Sequence, residues 1–171
     1  MYKFRKSNLP HPNTVKRLCT SYNLDPQHEQ ADGNFLYYIK HKYPTLNEND
    51  KLVILMLDEI HLKECLEYKG GKIIGTSYDN ESCATSANVY MLKSVLSQFK
   101  NVVRVLPVKA LSEESLFEFI KKVILGLENI GFKVLCTITG NNAINRKAVS
   151  HFLSPPKFQF VYQHPADKNK P

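Results

Sequence analysis

The sequence predicts an α/β domain with a mixed sheet, and three observations predict it. Two apolar runs, "LVILML" at residues 52–57 and "FKVLCTIT" at residues 132–139, have the length and composition of strands. A strongly amphipathic stretch before the second run has helical period, and a Gly-Gly turn follows the first. The resulting order is strand, hairpin, helix, strand and helix, which packs as helices on a sheet. At 171 residues the chain is long enough for one such core with a small appendage.

Residues 1–50 read as a helical N-terminal segment. In "LPHPNTVKRLCTSYNL", Asn13 can cap a short helix whose apolar side is Val15 and Leu18. A second helix follows Asp25-Pro26, with Leu36, Ile39 and Tyr43 on one side, and Pro44 with "TLNEND" ends it. The core begins at Lys51. "LVILML" is continuously apolar and suits a strand buried on both faces. It runs into Asp58-Glu59, and two adjacent carboxylates at the end of a buried strand need a reason.

Residues 61–78 read as a two-stranded excursion that turns at Lys69-Gly70-Gly71. Residues 86–98 fit either a helical stripe of Val89, Leu92 and Leu96 or a strand. "NVVRVLPVKAL" is a clearer strand, and Pro107 within it marks an edge or a bulge. Ser112 caps the best helix of the chain, Glu113 and Glu114 sit where its dipole favours acids, and Leu116, Ile120, Val123, Leu127 and Ile130 share one face. Gly131 ends it. "FKVLCTIT" is then a second buried strand, with Cys136 in the core. A last helix from about residue 142 to 153 buries Ile144, Ala148 and Phe152 before Pro155-Pro156 stops it.

Composition narrows the function classes. A formal charge of +7 points to an acidic partner, nucleic acid ahead of a membrane surface, although many soluble domains this basic bind nothing anionic. Lys3, Arg5, Lys6, Lys16 and Arg17 lie in the first 17 residues without an acid. A solvated face is the ordinary meaning of that cluster, and a nucleic-acid contact the sharper one. The four cysteines form no CxxC pair, which excludes a local zinc finger and fits reduced thiols. No apolar run approaches roughly 20 residues, so no membrane span is expected.

Three stretches together resemble the RNase H-like domain of P-element-type DNA transposases, a family whose relatives carry a THAP zinc finger ahead of the core. They are "LMLDEIHLKECLEYKGGKIIG", "VVRVLPVKALSEESLFEFIKKVILGLENIGFKVLCTITGNNAINRKAV" and "FVYQHPADKNKP". The similarity runs from about Leu9 almost to the end. It implies an RNase H-like mixed sheet over residues 51–171, with residues 86–98 and 101–108 as adjacent strands. It also implies a nuclear protein acting on DNA by two-metal phosphoryl transfer, in which paired Mg²⁺ or Mn²⁺ ions clamp the attacking and leaving oxygens.

On that resemblance Asp58 matches the first catalytic and metal-binding acid. Glu59, pointing to the other face, is structural. The pattern wants an aspartate in "TIT-x-NNAINRK", and the chain has Gly140 there. Asn141 or Asn142 could offer an amide oxygen, a poor replacement for a bridging carboxylate. The family's next strand, nucleotide-binding insertion and final acid would lie past Pro171, so the domain is expected to be incomplete at its C-terminus. Arg146 and Lys147 match a basic pair that could touch DNA phosphates, while Asn145 could cap or bond locally.

Three functions are therefore weighed. One is a degenerate transposase core with weak or absent metal binding, low DNA affinity, and self-association or contacts to other transposase segments. Another is a non-enzymatic nucleic-acid- or protein-binding module. The last is a piece of a longer active polypeptide.

Overall fold

The computed structural model describes residues 11, 13–14, 17, 35–78, 82–157, 161 and 164–167. Residues 13, 14 and 17 are helical, but Val15 and Leu18 of the expected first helix, the basic residues Lys3, Arg5, Lys6 and Lys16, and the lysines at 168 and 170 lie outside these. Two short helices come first, α1 (Tyr37–Lys42) and α2 (Glu48–Lys51), with a 3-10 turn at Tyr43–Thr45 between them. The polar "TLNEND" does more than end a helix. Asn47 Oδ1 accepts from the Asp50 backbone N–H at 3.1 Å and the Asp50 carboxylate accepts from that of Asn47 at 3.0 Å, so the two residues start α2 reciprocally.

The strands are β1 (Leu52–His61), β2 (Glu67–Lys69), β3 (Lys72–Ile74), β4 (Ser86–Ser94), β5 (Lys100–Val108) and β6 (Lys133–Thr139). Helix α3 (Glu113–Ile130) joins β5 to β6, and α4 (Ala143–Ser150) follows β6. The main sheet has the order β5-β4-β1-β6. Strands β4 and β5 run antiparallel to their neighbours and β6 runs parallel to β1, so the sheet is mixed. β2 and β3 form the separate hairpin over Gly70-Gly71, and residues 86–94 are strand. Pro107 lies on β5, an edge of the sheet, where a missing N–H costs no ladder bond.

Helix α3 supplies most of the cover. Its buried face is Leu116, Phe119, Ile120, Val123, Ile124 and Leu127, and Ser112 Oγ accepts from the Ser115 N–H at 3.2 Å to cap it. Phe35, Leu36 and Ile39 join the same core as α3, β1, β4 and β5. His164 Nε2 lies 2.7 Å from Glu128 Oε2, which places residue 164 against the end of α3.

Gly131 closes α3 at φ 117°, where its N–H reaches the carbonyls of Leu127 and Glu128 and its own carbonyl accepts from Tyr43 Oη at 3.0 Å. A Cβ there would run into that tyrosine oxygen. Gly131→Ala is therefore expected to cost about 1–3 kcal/mol, read as a lower melting temperature. An unchanged melting temperature would show that the cap tolerates a side chain.

Three expectations need correction. β1 is not buried on both faces: Val53, Leu55 and Leu57 are buried, whereas Leu52, Ile54 and Met56 are only half covered. β6 is an edge strand without one buried residue, and Cys136 is exposed instead of core. The last helix is also shorter than expected: Ala148 is buried, Phe152 packs on the core from beyond the helix, and Ile144 is exposed. All three errors have one cause. An apolar run reports hydrophobicity, not whether a second layer exists to cover it.

Two bulges also break the alternation. Between β1 and β6 the register slips at Leu135, so Leu135 and Cys136 are both exposed. Between β4 and β5 it slips at Val103, which leaves Val103 and Arg104 both buried. Arg104 lies opposite Tyr90, and its guanidinium carbon is 4.4 Å from the ring centre of Phe35 and 4.8 Å from that of Phe119. Burial pushes the Tyr90 phenol well above its ordinary range, and the nearby Arg104 charge opposes that rise.

Candidate metal and nucleic-acid site at the sheet tip

β1 and β6 are hydrogen-bonded neighbours, and their register ends with Leu57 opposite Thr139. Asp58 and Gly140 each follow that last rung; β6 ends there, whereas β1 continues to His61 paired with β4, so Asp58 lies within the strand and not at its end. Neighbouring strands lie ~4.8 Å apart, so acids at both positions would be within reach of one cation. Side-chain alternation puts Asp58 on the sheet face that carries Ile54 and Met56, and Glu59 on the other. Asp58 is exposed, and its Oδ1 accepts from the backbone N–H of Glu59 at 3.0 Å.

The backbone does not require glycine at position 140. Its φ lies outside the left-handed region, and an added Cβ would meet only Asn145 Nδ2, at 3.5 Å. That distance is an ordinary contact. Nothing in the backbone therefore excludes a side chain at this position.

Three asparagines follow, and two have structural duties. Asn142 caps α4: its Oδ1 accepts from the Asn145 N–H at 2.7 Å. The oxygen considered as a metal ligand is thus already engaged. Asn145 is buried, and its Nδ2 donates to the Gly140 carbonyl at 2.8 Å, which ties the start of α4 to the tip of β6. Sequence reasoning weighed a local role for Asn145 without locating its partner. The i, i+3 spacing from Asn142 was the available signal for the cap.

The two basic candidates separate. Lys147 Nζ lies 3.4 Å from Glu113 Oε1, which joins α4 to the start of α3. Glu113 is held below the usual carboxylate range, first by its own backbone N–H and then by Lys147. Arg146, one residue earlier, is exposed. Among the described residues, no three His, Cys, Asp or Glu side chains gather as a metal cluster. A cavity of about 300 Å³ lies against β5, lined by Phe35, Tyr38, Ile39 and residues 102–105, and no carboxylate lines it.

Residues 31–153 match the family described as TNP-like, RNase H N-terminal domain. The chain belongs to that family. The mixed four-stranded sheet with helices packed on it is the RNase H-like fold of this TNP-like domain. Among solved structures, the Drosophila P element transposase strand transfer complex is similar, with a TM-score of 0.59 at 16% sequence identity. The match covers 95% of this TNP-like chain and 33% of the P element chain, so the chain spans about a third of that protein's length. No curated protein matches it in sequence. No described helix is long and apolar enough to cross a membrane.

Proposed function

We propose that this TNP-like domain is a P-element-type transposase core that has lost metal-dependent DNA cleavage and keeps, at most, a low affinity for DNA. One observation supports the reading: Asp58 and Gly140 each follow the last paired rung of β1 and β6, Leu57–Thr139, with a carboxylate on one and none on the other. Two cations a few ångströms apart repel strongly unless anionic ligands lie between and beside them. Mg²⁺ is held through few protein groups, so each carboxylate counts. One exposed aspartate beside a glycine does not fit a two-metal centre, and no cleavage step is derived through one. The neighbouring Asn142 oxygen is committed to the α4 cap.

The expected result with labelled DNA is no nicking in Mg²⁺ or Mn²⁺, with wild type and Asp58→Ala indistinguishable. Robust nicking that Asp58→Ala abolishes would overturn the proposal.

A DNA-binding remainder is supported by the charge of +7 and by the exposed Arg146 at the start of α4. Binding of this kind weakens as salt rises, because phosphate contacts release counterions. Asp58→Ala should leave affinity intact, whereas Arg146→Ala should weaken it for all sequences and lower the salt slope by about one counterion. Lys147, already paired with Glu113, should contribute less. Absence of binding to duplex and single strands at low salt would remove this part of the reading. Nuclear localisation belongs to the same proposal.

A further inference from the structure

We draw no further inference here: the strongest candidate, the apolar surface patch of Leu66, Tyr68 and Ile73 at the β2–β3 hairpin, carries none because nothing in the structure shows what covers it.

Discussion

Gly140→Asp is expected to create a divalent-cation site beside Asp58. The new carboxylate would lie on the rung next to Leu57–Thr139, beside Asp58 and on the same face of the sheet. Nothing in the backbone opposes it, since the position is not left-handed and a Cβ would touch only the Asn145 amide at 3.5 Å. Without metal, two neighbouring carboxylates repel, so one should titrate above the usual range and the apo variant should lose a little stability. With metal the same charges attract. Even a modest part of the Coulomb energy at an effective dielectric near ~20 corresponds to Mn²⁺ binding about tenfold tighter or more. Titration calorimetry would read the affinity, and a rise in melting temperature on adding Mn²⁺ would read the linkage. Asp58→Asn in the same background should erase both. A folded Gly140→Asp variant with wild-type Mn²⁺ affinity would show that the two tips do not form the pair proposed here.

Leu55→Ala should have the largest effect on stability, and its contrast with Cys136→Ser tests the one-sided sheet. Leu55 is fully buried at the centre of β1, between β4 and β6 and facing the helical layer. Truncation removes its transfer energy and leaves a cavity, about 2–5 kcal/mol in such positions. Cys136 sits in an equally apolar run but on the open face of an edge strand. Its replacement by serine should change stability by about 0.5 kcal/mol or less. Denaturant melts of the two variants decide the matter. Equal losses would mean that a second layer covers β6.

The contrast also shows where sequence reading succeeds. The limits of α3 follow from chemistry local to the chain: a serine cap, acids in the first turn, an apolar stripe at helical period, and a glycine that can take a positive φ. The β2–β3 hairpin is equally local, since Gly70 and Gly71 both have positive φ at its turn. The acid that follows the apolar run of β1 was visible as well.

Other features were not. Arg104 alternates in phase with Leu106 and Val108 and so enters the core among aromatic rings, and a bulge buries Val103 beside it, which breaks the alternation. A bulge is an agreement between two strands about register, and neither strand announces it alone. The capping duties of Asn47 and Asn142 had a visible spacing signal. The bond from Asn145 to the Gly140 carbonyl had none, because it depends on how α4 folds back on β6.

The chain's own order of residues determined which segments are helix or strand except at 86–98, and it determined that position 140 carries no acid. Those properties rest on dihedral preference, capping and composition, which act within a few residues. Tertiary structure alone decided that the strands leading to Asp58 and to position 140 are neighbours, and that one side of an apolar strand is buried while the other is only half covered. Adjacency and burial are set by strand pairing and by the supply of a covering layer, which join segments some eighty residues apart, so no window of sequence contains them.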